Sequence, residues 1–131
     1  MLHRPTLSTL ARAVVVFSVV GAWAAYSAPA APAAGDPKLG AAVFKAKVCA
    51  TCHKADGSGG VKLTGNPTPN WKDPKTWADP KRKDADAYLR DCITNGKTKS
   101  GMVAWGKTGQ IKPPDIENLI AYIHTLAPPK K

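Results

Sequence analysis

The sequence has few of the residues that small proteins use to hold a fold together. Only three of its 131 residues are cysteine, which excludes a framework of several disulfides. Apolar and polar residues nowhere alternate long enough for a convincing strand, which argues against a sheet. A chain of this length forms one domain with a modest core. A tightly held cofactor is therefore a plausible source of additional stability.

Acidic residues are also scarce. The chain has 19 lysine and arginine residues against 9 aspartate and glutamate residues, a net charge of +10. Removing Arg4 and Arg12 with the first 30 residues lowers this charge by two, to +8. Such a charge attracts acidic partners at a salt-dependent rate. The lysines are scattered and form no basic helix, so we expect acidic protein partners and no nucleic acid.

The first 30 residues have the pattern of an export signal. A basic start with Arg4 and Arg12 precedes an apolar run over 13–25, and Ala28-Pro29-Ala30 is a candidate cleavage site. The run is shorter than the roughly 20 apolar residues of a membrane-spanning helix, and an uncleaved anchor is the alternative. In both cases we expect the folded part outside the cytoplasm, in the periplasm.

The rest of the chain divides into a tether, a domain and a tail. Residues 31–37 are rich in alanine and proline and predict an extended tether. The domain is predicted over 38–127, followed by a basic tail over 128–131. Apolar residues at helical spacing and end signals predict three helices, over 36–47, 84–95 and 114–126.

The stretch from 54 to 83 is rich in glycine and proline, so regular structure is not predicted there. A loop of this length in a compact domain is expected mainly where it wraps a ligand. Trp71 and Trp77 lie in this loop and are candidates to cover such a ligand.

Directly after the first predicted helix comes Cys49-Ala50-Thr51-Cys52-His53, a C-x-x-C-H motif of haem c attachment. Two thiols at this spacing can each add to a vinyl group of one porphyrin, and the adjacent histidine then faces the iron. A structural zinc site needs four ligands in paired spacing, and a thioredoxin-like site needs a βαβ context. The motif therefore predicts one covalent haem c on Cys49 and Cys52, with His53 as an axial ligand.

The second axial ligand follows by elimination. Met102 is the only methionine besides the initiator, and it lies in a flexible segment, GMVAWG, between the last two helices. A lone methionine is often a core residue, but this one lies off any helical stripe. His124 falls beside the stripe of the last helix, toward solvent. Ligation by His53 and Met102 raises the reduction potential and fills both axial positions, which argues against an enzyme.

Cys92 is the remaining thiol. It lies on the apolar stripe of the second predicted helix, where a free cysteine behaves as a small buried hydrophobe. An intermolecular disulfide or an anchoring role is the alternative.

Taken together, the residues resemble a class I cytochrome c, the monohaem c-type family of bacteria, over about 36–126. The matching features are Gly40 and Phe44, the CATCH motif, the YLxxxIxNG pattern of 88–96, GMVAWG and the LIAYIHTL helix of 119–126. The resemblance implies an all-α fold with three main helices and long loops around the haem. It implies a crossing of the first and last helices at Gly40, with Phe44 near Tyr122. It also implies loop residues that bind the haem propionates, for which Trp71 and Trp77 are candidates.

The chain departs from this family pattern at two positions. The family usually places a Gly-Pro segment after the motif, and the proline carbonyl holds the histidine ring proton. Here Gly59-Gly60-Val61 stands instead, so the acceptor for His53 is open. Val103 follows Met102 where many relatives carry proline, which predicts a more mobile loop.

The resulting expectation is a one-electron carrier that shuttles between periplasmic or membrane redox partners. Lysines near the motif and the methionine loop are expected to surround an exposed haem edge, where acidic proteins or a membrane oxidase or reductase would dock. These are Lys45, Lys47, Lys54, Lys97, Lys99 and Lys107. The alternatives are a haem-bearing subunit of a larger respiratory or dehydrogenase complex, and a haem-based sensor.

Overall fold

The computed structural model describes residues 34–129. The predicted export signal, the first three residues of the tether and the last two residues of the tail lie outside this range. Within it the fold is all-α, as expected, and no strand is present. The α-helices are α1 Pro37–Ala46, α2 Ala50–His53, α3 Pro74–Trp77, α4 Ala85–Asn95 and α5 Pro113–Thr125, with 3₁₀ turns at Pro80–Arg82 and Thr98–Ser100.

Helix α1 begins and ends on local signals. The Asp36 carboxylate accepts a hydrogen bond from the Lys38 amide at 2.7 Å and so caps the first turn. At the other end, the Cys49 amide donates to the Phe44 carbonyl at 3.1 Å, which closes the helix and starts the CATCH segment. Val48 makes this turn with a φ of 52°, a conformation that β-branched residues rarely adopt. The end of α1 therefore sets the direction in which the motif leaves the helix.

The first and last helices cross at close range, as the resemblance implied. A Cβ on Gly40 would lie 1.9 Å from the Asn118 carbonyl oxygen, so only glycine fits this crossing. The rings of Phe44 and Tyr122 pack beside it with centroids 5.2 Å apart. This crossing holds α1, and with it the CATCH motif, on the core.

Helix α4 supplies the opposite wall of the core. Asp84 caps its first turn by accepting from the Ala87 amide at 2.9 Å, and Gly96 ends it with a φ of 70°. Leu89, Cys92 and Ile93 are buried along one face, as their spacing predicted. The helix ends where the segment carrying Met102 begins.

The loop over 54–83 is more regular than predicted. It contains α3 and the first 3₁₀ turn, which the density of glycine and proline had argued against. Both elements begin in the same way: Asp73 and Asp79 each cap a short helix whose first residue is proline. This pair of Asp-Pro signals is visible in the sequence and predicts two short turns.

None of the helices between residues 34 and 129 is long and apolar enough to cross a membrane.

Candidate functional site

A cavity of about 920 Å³ lies between the CATCH turn, the 61–71 loop, α4 and the segment around Met102. All four predicted site residues, Cys49, Cys52, His53 and Met102, are in its wall. They come from two stretches about fifty residues apart in sequence, and the fold brings them to one space. Most other side chains in the wall are apolar.

The CATCH segment forms a single helical turn. The His53 amide donates to the Cys49 carbonyl at 2.9 Å, which closes the turn. Because an α-helix has 3.6 residues per turn, residues three and four positions apart lie on the same side. Cys49, Cys52 and His53 therefore share one face. The Thr68 hydroxyl donates to the Cys52 carbonyl at 2.7 Å and ties this turn to the following loop.

The His53 ring lies flat against Trp71, with centroids 4.6 Å apart and planes 7° from parallel. Burial lowers the pKa of His53 to about 4, so the ring is neutral at physiological pH and can offer a lone pair to a metal. Its Nδ1 is buried and has no hydrogen-bond partner. Within residues 34–129, therefore, no group accepts a hydrogen bond from the His53 ring, and the acceptor that the sequence did not identify is not found there either.

Burial also raises the pKa of the Cys49 thiol to about 11. Thiols of redox-active C-x-x-C motifs and of zinc sites are used as thiolates, which requires a lowered pKa. Across residues 34–129 no group of three or more His, Cys, Asp and Glu side chains is placed to hold a metal ion. The thioredoxin-like and zinc alternatives gain no support from this environment.

Backbone hydrogen bonds hold the turn that ends at Met102. Lys97 and Met102 exchange two backbone hydrogen bonds, of 3.0 and 3.1 Å, around the second 3₁₀ turn. These hydrogen bonds close the stretch 97–102 into a turn, and the flexibility expected of the segment 101–106 stays a prediction. Its half-buried side chain packs against the core.

The two tryptophans of the long loop both line the cavity, as expected of residues that cover a ligand. The indole N–H of Trp77 donates to the Trp71 carbonyl at 2.6 Å. Trp77 is thus engaged within the loop and does not offer that group to a propionate. Arg82 also lines the cavity, and no local motif in the sequence marks it. Tyr88, the first residue of the YLxxxIxNG pattern, lines the cavity as well.

Cys92 and His124 lie where the helical spacing predicted. Cys92 is 7% exposed, and burial raises the pKa of its thiol. It lies in the cavity wall as well as on the core face of α4. His124 is exposed, pairs with Asp86 and stacks on the outer side of Trp77. It is not among the residues of the cavity wall, so the geometry gives it no part in ligation.

Two of the six lysines expected near the site contribute to the cavity wall, Lys97 and Lys99. Lys97 is paired with Asp91 at 3.0 Å, whereas Lys99 is exposed. Three exposed apolar side chains lie at the same opening: Val48, Leu63 and Val103. The opening therefore has an apolar rim with positive charge beside it.

A family model described as cytochrome c oxidase, cbb3-type, subunit III matches residues 35–123. The chain belongs to this family. No curated protein and no solved structure matches the chain. The match covers all the residues of the cavity wall, and it confirms the resemblance to a class I monohaem cytochrome c.

A cytochrome c domain of this family binds covalent haem c and transfers electrons through it. The cavity fits this group. Its volume lies toward the upper end of the range for small-molecule sites, about 300–1,000 Å³. It offers paired cysteines, a half-buried neutral histidine and a thioether, on mainly apolar walls. An apolar shell of this kind limits the access of water to a metal and tunes its potential.

Proposed function

We propose that the chain is a one-electron carrier with a single haem c bound through thioether bonds to Cys49 and Cys52. In this proposal His53 and Met102 are the axial ligands of the iron. The observation that carries the proposal is the convergence of all four side chains on one cavity. The bound haem supplies an iron that cycles between the ferrous and ferric states. The chain holds the iron, excludes water and sets the potential.

Different contacts support the two proposed axial roles. For His53 the support is the helical turn of the motif and the stacking of its ring on Trp71. For Met102 it is the paired backbone bonds to Lys97, in the turn that follows α4. A soft thioether opposite an imidazole favours the ferrous state and raises the potential. With both positions filled the iron has no open site for a substrate, which supports a carrier over an enzyme or a sensor.

The test of this proposal is the absorption spectrum of the purified ferric protein. We expect the long-wavelength band of thioether-to-iron ligation in the native protein. Met102→Ala should abolish this band and lower the reduction potential, while Lys107→Gln, at an exposed position just after the same segment and outside the cavity wall, should leave both unchanged. A native spectrum without the band, or a band that persists in Met102→Ala, would contradict His/Met ligation and favour a sensor.

A second candidate function follows from the family name. The family description names subunit III of a cbb3-type cytochrome c oxidase. This supports a role for the chain as a haem-bearing subunit of a membrane oxidase complex. The same haem chemistry serves a free shuttle and a subunit, so the cavity does not separate them. Attachment to such a complex would use surfaces away from the cavity or the segment before residue 34.

The cavity opening is the proposed docking surface for an acidic redox partner. Val48, Leu63 and Val103 give it an apolar rim, and Lys99 is an exposed cation beside them. Apolar contact brings the redox centres close, and the positive charge orients the encounter. Because one side of the haem must approach the partner, an opening in the protein shell is required at the point of contact.

We further propose that the domain works in the periplasm. Residues 1–30 would be a cleaved export signal or an uncleaved anchor, and 31–37 a tether to the folded part. The domain would cover 38–127 and the basic tail 128–131. Covalent haem attachment through a C-x-x-C-H motif agrees with this location.

A further inference from the structure

We propose that Trp71 is a positioning residue for His53: its ring, stacked on the imidazole, fixes the direction of the imidazole plane at the haem iron. The inference rests on the proposed function, since it requires haem in the cavity. An imidazole that binds a metal through one ring nitrogen can still rotate about that bond. A hydrogen-bond partner on the other nitrogen normally fixes the ring.

Within residues 34–129 no hydrogen bond fixes the His53 ring, because its buried Nδ1 has no partner. The backbone of this residue is well anchored by contrast. Its amide donates to the Cys49 carbonyl at 2.9 Å, and its carbonyl accepts from the Gly59 amide at 3.1 Å. The backbone therefore fixes the point from which the ring projects, and the contacts of the ring itself decide its rotation.

Trp71 is placed to restrict this rotation. Its ring lies against the imidazole, with centroids 4.6 Å apart and planes 7° from parallel. Stacked aromatic rings at such a separation attract one another. A turn of the imidazole would drive its edge into the face of the indole, and a close-packed interior leaves little space for that. One orientation of the imidazole plane is therefore favoured.

The indole can act in this way because it is itself held from several sides. Trp71 is 5% exposed and packs on Phe44, with ring centroids 6.2 Å apart. Its amide donates to the Gly57 carbonyl at 2.8 Å, and its carbonyl accepts from the Trp77 indole N–H at 2.6 Å. A side chain locked by packing and hydrogen bonds can hold a ligand in a defined geometry.

The stretch before Trp71 is also bonded to the motif. The Thr68 hydroxyl donates to the Cys52 carbonyl at 2.7 Å. The Gly60 amide donates to the Thr68 carbonyl, and the Thr68 amide donates to the Val61 carbonyl, both at 2.9 Å. The CATCH turn and the segment that carries Trp71 thus form one hydrogen-bonded unit, which holds the two rings at their separation.

This arrangement has a spectroscopic consequence. In low-spin ferric haem the direction of the axial imidazole plane sets the orbital of the unpaired electron, and with it the g values of the electron paramagnetic resonance spectrum. A ring held in one orientation should give a single narrow low-spin signal. A ring free to take several orientations should give a shifted and broadened signal in frozen solution.

The experiment is electron paramagnetic resonance of the purified haem-loaded ferric protein. Trp71→Leu removes the planar face and should shift and broaden the signal at the largest g value. Trp71→Phe keeps an aromatic face and should restore the narrow signal. Tyr122→Leu is the matched control, because it removes a ring that packs on Phe44 from outside the cavity wall. It should keep the native signal even where it lowers stability.

Trp77→Phe keeps the test decisive if Trp71→Leu fails to fold or to load haem. It removes the hydrogen bond to the Trp71 carbonyl and leaves the stacked pair in place. The signal should then shift in the direction expected for Trp71→Leu, by a smaller amount.

Three results would overturn the role of Trp71 while the thioether band stays normal. The first is a native signal in Trp71→Leu or, where that variant does not load haem, in Trp77→Phe. The second is a Trp71→Phe signal like that of Trp71→Leu, and the third is an equal shift in Tyr122→Leu. Native protein without haem or without that band would overturn the proposed function instead.

Discussion

At the scale of single residues, Gly40 is the position with the least room for change. It lies where α1 crosses α5, and the space for its Cβ is taken by the Asn118 carbonyl and the Tyr122 side chain. Neither neighbour moves easily, because one is backbone within a helix and the other packs on Phe44. A side chain at this position must push the two helices apart.

Gly40→Ala should therefore destabilise the haem-loaded protein by about 1–3 kcal/mol, the usual cost of overpacking. Ala42→Ser, at an exposed position of the same helix, should cost less than about 0.5 kcal/mol. Denaturant unfolding of both variants, followed by helix circular dichroism, measures the difference. Equal midpoints would show that the crossing tolerates a methyl group and that the close approach is not required.

At the scale of elements, α4 links the cap at Asp84 to the turn that carries Met102. Its first turn depends on the Asp84 carboxylate, and its end at Gly96 leads directly to Lys97. A Cβ on Gly96 would lie 2.6 Å from the Met102 carbonyl oxygen, so the helix end and the methionine turn are in contact. Bonds from the Arg90 guanidinium to Glu117, of 2.6 and 2.8 Å, hold this helix on α5.

Asp84→Ala should lower the free energy of unfolding by about 1 kcal/mol, because it removes the acceptor of the Ala87 amide. Asp84→Asn should retain most of the stability, since asparagine caps nearly as well as aspartate. Thermal or urea unfolding of the haem-loaded variants makes the comparison. Equal destabilisation by Asp84→Asn and Asp84→Ala would show that the negative charge at this position stabilises the helix and that the capping hydrogen bond does not.

At the scale of the whole molecule, positive charge is the dominant feature. The full chain carries +10, and its lysines are spread over the domain. Such a field acts over about a Debye length, roughly 10 Å at 0.1 M salt, and guides an acidic partner before contact. A shuttle meets its partner anew in each cycle, whereas a subunit stays docked. The salt dependence of electron transfer therefore separates the two proposed functions.

Oxidation of the ferrous protein by a solubilised cbb3-type oxidase should slow as NaCl rises, if the chain is a shuttle. The second-order rate falls because screening weakens the long-range attraction. Lys99→Gln, at the cavity opening, should reduce this salt dependence more than Lys75→Gln, which is exposed but not in the cavity wall. A rate that does not respond to salt would contradict docking by charge and agree with a permanently bound subunit.

Much of the fold was predictable from local patterns. The three main helices were placed to within one or two residues, because aspartate caps, prolines at first turns and apolar stripes all act at short range. The two short turns of the long loop were missed, although their Asp-Pro starts were present. The closed turn before Met102 could not be predicted, because its paired bonds depend on where α4 ends.

By itself the sequence determined the chemistry of the site: CATCH carries two thiols and a histidine at the spacing of one helical turn, and Met102 is the lone thioether of the domain. Residue type and short spacing are enough for this, since the proposed ligands belong to two short segments. Only the tertiary structure decided that these segments share one cavity, that Trp77 is engaged by Trp71, and that Arg82 lies in the cavity wall. These facts depend on long-range packing, which puts residues from separate loops against one another and leaves no mark in the local sequence.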